Sequence, residues 1–453
     1  MTEKKSYTMD MSSGPILKKM LVFAIPLIFS GLLQLLFNAA DVIVVGRFAG
    51  DDALAAVGAT TSLIHLFVNL FLGLSIGANV LVARFFAAKQ EQHLSETVHT
   101  SMAIALFSGV FLAIVGAIFA PFILRLMATP DSVLVLATIY LRVYFLGMPA
   151  MMVYNFGAAI LRSVGDTKRP LRYLTIAGVV NVTLNLVFVI VLHWSVFGVA
   201  LATTISQILS AICVFRCLMK ENSGIRLEWK RIRIYKDKLG QILRIGLPAG
   251  LQSVLFSFSN VIIQSSVNSF GATVVAGNSA AANIEGFVYI AMNAFYQANI
   301  SFTGQNVGAG KYHRINRVLL TALGCVTVVG VVMGAGCYGL GGILLRLYTE
   351  SEEVVAAGMI RLAFIGLPYA LCGIMEVLVG SLRGMGYAIS PMIVSLIGTC
   401  AFRVVWLKTV FLMESFHQIE TVYVIYPITW VITIVAHIIT YIIAKRKLKM
   451  FNR

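Results

Sequence analysis

The sequence predicts an all-α polytopic membrane protein: twelve transmembrane helices in two six-helix lobes that repeat one another in parallel. Three observations carry that prediction. The 453-residue chain is 59% hydrophobic and only 12% charged, about half the charged fraction of a soluble protein. Apolar runs of the roughly 20 residues needed to cross a bilayer recur from end to end. The second half of the chain also returns to motifs of the first, as when Pro26 reappears 222 positions later as Pro248.

Turn and charge signals place the spans, in order, at 16–43, 54–83, 96–119, 133–158, 170–192, 196–219, 240–268, 275–305, 316–345, 355–381, 390–413 and 422–444. The N-terminal "MTEKKSYTMDMSSGPILKK" is basic and has no small-residue cleavage site, so 1–15 reads as a cytosolic tail leading into a retained first span. Spans one to six form an N-lobe, 16–219. The loop "KENSGIRLEWKRIRIYKDK", 220–238, links it to a C-lobe, 239–444, and "KRKLKMFNR", 445–453, closes the chain. Loops after even-numbered spans hold the basic residues: Arg84 and Lys89; Arg162, Lys168, Arg169 and Arg172; Lys311, Arg314 and Arg317; and Arg383. Loops after odd-numbered spans, such as "GDDAL" and "TESEEV", are acidic or nearly neutral. The positive-inside rule therefore puts both termini in the cytoplasm of a cell-membrane protein. The formal net charge of +16 reflects that topology and not a nucleic-acid partner.

The repeat is in register at residues that are not merely apolar. "YLRVYFLGMP" (140–149) returns as "MIRLAFIGLP" (359–368), matching Arg142 to Arg361 and Pro149 to Pro368. "LRSVGDTKRP" (161–170) returns as "LRGMGYAISP" (382–391), and "FAAKQEQHLSE" (86–96) is echoed by "VGAGKYHRINR" (307–317). Six spans per half is an even number, so the halves run in the same direction, as in one class of secondary transporters.

"AIP" in the first span, "DVIVVGRFAG", the "LRSVGD…P" and "LRGMG…P" pair and "GQNVGAGK" (304–311) resemble the multidrug and toxic compound extrusion (MATE) family along essentially the whole chain. The resemblance implies two lobes forming a V around a central cavity. It also implies export of organic cations or amphipathic drugs by a monomer in exchange for H+ or Na+, with no cofactor. Asp41 matches a coupling aspartate that the family carries in its first span. One branch has a second aspartate in the fifth span, where this chain has Asn181 and Asn185; the other has an acid early in the seventh span, where this chain has none. The C-lobe acids are instead Glu285 and Glu376.

An ionised Asp41 at a helix centre costs about 2.5–3.5 kcal/mol. It therefore persists protonated, paired with a cation such as Na+, or facing a water-filled cavity. At 100° per residue Gln34, Asn38 and Asp41 share one narrow face, and Asn181 and Asn185 complete a polar cluster from the fifth span. Intramembrane acids are functional by default, against the alternative of an aspartate merely satisfied by amides. Pro26 and Pro248 deprive Val22 and Arg244 of their helical hydrogen-bond partners and mark hinges. Glu285, Tyr289, Met292 and Tyr296, with Asn293 at the edge, form a face suited to a lipophilic cation. Asn260, Gln264 and Asn268 stripe the seventh span, as cavity lining or as interhelical hydrogen bonding.

Glu376 is either proton-linked or paired with Arg403, which reads as a structural charge partner. Arg142 and Arg361 read as snorkelling cations. His65, His193 and His437 stand alone, and the six cysteines contain no Cys-x-x-Cys pair, so neither a metal site nor a disulfide framework is expected. "GAGK" has the wrong spacing for a phosphate loop, no catalytic constellation appears, and no nucleotide-binding domain is appended. The chain reads as a transporter working by alternating access, not an enzyme. One cation moved through 100 mV is worth about 2.3 kcal/mol, so one-for-one exchange of monovalent cations draws only on the ion's concentration gradient. A lipid-linked oligosaccharide flippase is the closest rival. Mid-membrane charges of Asp41, Glu285 and Glu376 against Arg403 favour cationic cargo over it. An ion channel is more distant, for want of a filter-like segment.

Overall fold

The computed structural model describes residues 7–127 and 129–450; the outer parts of both expected tails, 1–6 and 451–453, lie outside the described residues. The first helix, α1 (Ile16–Phe48), keeps Pro26 inside it, as does α8 (Lys236–Asn268) with Pro248. Between them run α2 (Asp51–Ala87), α3 (Glu91–Leu126), α4 (Asp131–Leu146), α5 (Met148–Ser163), α6 (Lys168–Leu186) and α7 (Ser195–Met219). The second half adds α9 (Ala272–Gly308), α10 (Tyr312–Gly339), α11 (Gly341–Arg346), α12 (Glu352–Arg361), α13 (Ala370–Gly384), α14 (Ile389–Ser395), α15 (Phe402–Lys408) and α16 (Ile419–Met450).

Nine of the described helices are long and apolar enough to cross a membrane, and two bent pairs bring the number to eleven. Those pairs are the fourth and tenth spans of the sequence. The first bends by 46° between α4 and α5, at Pro149; the second bends by 41° before α13, near Pro368. A proline leaves a carbonyl one turn back without its helical partner, which accounts for the bends. The remaining span is α9. It is 37 residues long, yet Asn278, Glu285, Asn293, Gln297 and Asn299 make it too polar to match the others in hydropathy. Single π turns at Val187–Val191, Leu362–Gly366 and Leu396–Ala401 widen the fifth, tenth and eleventh spans.

The chain forms two compact units. One comprises Phe29–Gly250 with the described part of Met1–Asp10; the other comprises Met11–Ile28 with Leu251–Arg453. The sequence puts the lobe boundary in the 220–238 loop, whereas the units change inside α1 and α8, just past Pro26 and Pro248. Each repeat thus contributes the first half of its first helix to the other unit. In the second unit Phe23 meets Phe302 of α9 edge-on, 5.9 Å between centroids. In the first unit the glycines of "GLSIG" (73–77) and "GLPAG" (246–250) let α2 and α8 touch backbone to backbone, and a Cβ on Gly73 would strike the Gly250 backbone. Small residues four apart allow such an approach in a membrane, where packing and not the hydrophobic effect draws helices together.

The two "LRxxG" motifs end their helices the same way. Gly165 has φ 91° and Gly386 φ 86°, a left-handed turn that favours glycine. The expected cytoplasmic tail is not loose where described. Met9 donates its N–H to the Val164 carbonyl at 2.8 Å, within the first unit. In the second unit Gln305 accepts the Met11 N–H at 2.8 Å and Asn306 donates to the Met11 carbonyl at 3.1 Å. Lys311 reaches the Ser12 carbonyl at 3.0 Å. "GQNVGAGK" is therefore a cradle for the N-terminal segment. The basic 220–238 loop is folded as well: Ile225 and Leu227 are fully buried, and the Glu228 and Tyr235 N–H groups bond His99 and Thr100 of α3.

Candidate functional site

Asp41 lies in the second half of α1, within the first unit. Asn185 of α6 donates to its Oδ1, and Thr203 of α7 donates to its Oδ2 at 3.4 Å. The same Asn185 amide also donates to Asn181 Oδ1 at 3.3 Å, and Asn181 in turn donates to Thr203 at 3.2 Å. The cluster is closed on itself, with one exception. Both amide hydrogens of Asn185 are spent, yet its Oδ1 is buried and has no partner. Asn185 is 0% exposed and Asn181 5%. Tyr140 and Tyr144 of α4 stack 5.9 Å apart in the same unit. Among the described residues no positive side chain is paired with Asp41. The aspartate is thus met by amide and hydroxyl groups, and the oxygens of Asp41, Asn181, Asn185 and Thr203 make a set suited to a proton or a hard cation.

Sequence reading brings Asp41, Asn181 and Asn185 together as the structure does. Gln34 and Asn38 are exposed along α1 and take no part in the hydrogen-bond cluster. Thr203 escaped sequence reading because a lone threonine in an apolar helix usually bonds its own backbone, as Thr203 also does with Val199.

In the second unit Glu285 of α9 is 3% exposed, and Arg361 holds it through two bonds, Nε to Oε1 at 3.1 Å and Nη2 to Oε2 at 2.7 Å. Arg361 is therefore not a snorkelling cation. Its guanidinium turns inward to the carboxylate and to Asn278 Oδ1 at 2.6 Å, a fork geometry that only arginine supplies. Tyr423 donates to the same Asn278 oxygen at 3.1 Å, and Asn278 donates to Gln264 at 3.1 Å. Gln264 is thereby committed to the network, and it also donates to Asn268 at 2.8 Å. Asn260 is exposed and outside it.

Arg383 also departs from its sequence reading as a loop cation. It ends α13 at 4% exposure, donating to the Tyr296 hydroxyl and, at 2.9 Å, to Gln252. A long helical side chain leans toward the preceding turn, which carries this guanidinium inward. Glu376 lies within its electrostatic reach. Tyr296 and Met292 are buried against Gly380 and Gly373 of α13. Tyr289 is 40% exposed, and Asn293 accepts from Gln297 at 2.8 Å. Of the two alternatives for Glu376, the pair with Arg403 is not seen among the described residues: Arg403 donates to Thr429 at 3.1 Å and lies 4.1 Å from the Tyr426 ring centroid. Three interior arginines, Arg361, Arg383 and Arg403, thus share the second unit with its acids, and a surplus of negative charge no longer argues for cationic cargo.

The MatE family model matches residues 26–187 and 248–406, one copy per repeat and most of the chain. The chain belongs to the MATE family. Probable multidrug resistance protein YoeA of Bacillus subtilis (strain 168) is 28% identical to it, over 94% of this chain and 94% of that protein. Multidrug export protein MepA of Staphylococcus aureus (strain MSSA476) is 21% identical over 85% of each. A solved multidrug resistance MATE family transporter of the MOP superfamily, in an outward-facing conformation, superposes at a TM-score of 0.89. It covers 99% of this chain and 100% of that one at 22% identity, a likeness of fold. As a MATE protein, the chain is a multi-pass membrane transporter, with the Asp41 cluster in one unit and the Glu285–Arg361 network in the other.

Proposed function

We propose that the chain is a cation-coupled multidrug antiporter of the cell membrane, with the cluster around Asp41 as the place where H+ or Na+ exchanges for outgoing drug. One observation carries the reading: among the described residues Asp41 is an interior acid that receives hydrogen bonds from neutral groups and makes no ion pair, beside a buried Asn185 oxygen that lacks a donor. An acid in that setting gains or loses a proton or cation without breaking an ion pair, which coupling requires. The names of YoeA and MepA support small-molecule export. The substrates are then amphipathic compounds, organic cations among them. Binding of the ion at Asp41 reshapes α1 about Pro26, and drug uptake on the cytoplasmic side displaces it.

A second reading, the lipid-linked oligosaccharide flippase, draws support from Arg361, Arg383 and Arg403. Interior guanidiniums suit a pyrophosphate headgroup, although each of these already has partners. Efflux of a fluorescent organic cation from proteoliposomes separates the readings. A pH gradient and a sodium gradient are imposed in turn on the native protein and on Asp41→Asn. Extrusion driven by one gradient and abolished in the variant is expected. Undiminished extrusion by the variant removes Asp41 from coupling, and no extrusion under either gradient leaves the flippase.

A further inference from the structure

The basic loop after α7 does more than join two helices. Between it and the adjoining parts of α3, α5 and α7 lies a cavity of about 500 Å3, walled by Leu106, Val153, Ile212, Phe215, Met219 and Trp229, with Arg216 completing the wall. That volume falls in the range of roughly 300–1,000 Å3 typical of small-ligand sites. Trp229 is held in place. Leu227, two residues earlier, is buried and bonded to the Leu218 carbonyl at 3.0 Å, and the Glu228 N–H is fixed on His99. The indole then meets Phe215 edge-on at 5.4 Å while remaining 66% exposed. An amphipathic indole held at the rim of an apolar groove, where a span meets the membrane surface, is the usual position of an interfacial anchor.

Charge supplies the second observation. Arg216, Lys220 and Lys230 make no ion pair among the described residues, and the acids beside them are taken: Glu221 by Arg169 at 2.7 Å and Glu228 by Arg231 at 3.0 Å. The neighbouring cavity of about 660 Å3 is different. It sets Arg226, Lys230, Arg231 and Arg233 against Glu91, Glu96 and Glu228, so it has no clear sign. The apolar groove instead has a dry wall with one unpaired cation, Arg216, and Lys230 of the neighbouring cavity follows its Trp229 directly in the chain.

We propose that this groove binds one anionic phospholipid of the cytoplasmic leaflet. An acyl chain lies along Leu106, Val153, Ile212 and Phe215, and the headgroup phosphate sits at Arg216 and Lys230 beneath Trp229. The site is independent of the Asp41 coupling scheme, since it rests on the membrane-spanning fold alone. Basic residues next to a membrane favour anionic lipid, and the groove selects the lipid over a free phosphate.

The test uses full-length, delipidated protein titrated with phosphatidylglycerol or with phosphatidylcholine of the same acyl chains, followed by native mass spectrometry. Quenching of the Trp229 fluorescence by brominated phosphatidylglycerol, with Trp229→Phe as the blank, locates the lipid. Phosphatidylglycerol should bind more tightly. Arg216→Gln/Lys230→Gln should weaken it by about 25-fold, on the basis of about fivefold per cation, and leave phosphatidylcholine unchanged. Equal binding of both lipids would reduce the groove to ordinary annular contact and overturn the proposal. So would an equal loss in the control Arg125→Gln/Lys408→Gln, or displacement of the lipid by soluble glycerol phosphate at matched concentration.

Discussion

Two carboxylates among the apolar helices, half-buried Asp41 in one unit and buried Glu285 in the other, have been given opposite surroundings. Asp41 is met by Asn185 and Thr203, both neutral. Glu285 is clasped by Arg361 through two bonds, and Asn278 and Tyr423 support the guanidinium in turn. Both arrangements solve the problem of an acid among apolar helices, but they solve it differently. Glu285 has a permanent cation built in beside it, and the two bonds make it part of the scaffold. Neutral donors leave the occupancy of Asp41 free to change. The repeat therefore supplies two similar folds, and the chemistry that distinguishes them lies in whether the counter-charge is built in or has to arrive.

The largest effect that tests this contrast is on the fixed pair. Arg361→Ala leaves a buried carboxylate uncompensated and should destabilise the protein by about 3–5 kcal/mol, measured by unfolding in mixed micelles with SDS. Glu285→Gln/Arg361→Gln removes both charges and should recover most of that loss. If Glu285→Gln alone is as stable as the native protein but abolishes ion-driven efflux, Glu285 behaves as a coupling acid and the contrast collapses.

The intermediate effect concerns the orphan oxygen. Asn185→Leu deletes a hydrogen bond to a charged acceptor, worth about 1.5–3 kcal/mol, together with one of the oxygens offered to a cation. Half-maximal drug efflux should then need roughly 10- to 100-fold more coupling ion, with the melting behaviour changed far less than in Arg361→Ala. A variant that unfolds like Arg361→Ala would mean that Asn185 serves packing alone.

The fold was largely legible in the sequence because its signals are cumulative. Apolar length, alternating loop charge and the recurrence of Pro149 as Pro368 all point the same way, and a local error in one span leaves the architecture intact. Asp41, Asn181 and Asn185 were legible too, since an intramembrane acid and two amides a turn apart stand out from an apolar background. Partners supplied by long side chains were not. Arg361 and Arg383 sit where helices end, where a guanidinium can reach outward to water or inward to a carboxylate or phenol, and sequence position does not say which. Arg403 was assigned an acid by charge alone and found a hydroxyl and a ring instead. The switch of units inside α1 and α8 was equally hidden: the prolines mark bends, but which unit each half joins is decided by contacts such as Gly73 on Gly250 and Phe23 on Phe302.

Thr203 should give the smallest effect, and it sharpens the comparison most finely. Its bond to Asp41 is long, 3.4 Å, and its hydroxyl is shared with Val199 and Asn181. Thr203→Val keeps the shape and removes about 0.5–1.5 kcal/mol of hydrogen bonding, which corresponds to a shift of about two- to twelvefold in the coupling ion needed for half-maximal efflux. Thr203→Ser restores the hydroxyl and should restore the native value, which a packing role for the γ-methyl would not. A threonine oxygen helps a sodium ion directly but helps a proton only through the aspartate. A valine variant that loses sodium-driven efflux while keeping pH-driven efflux would thus assign the hydroxyl to the ion's own ligand set, and equal losses would assign it to orienting the carboxylate.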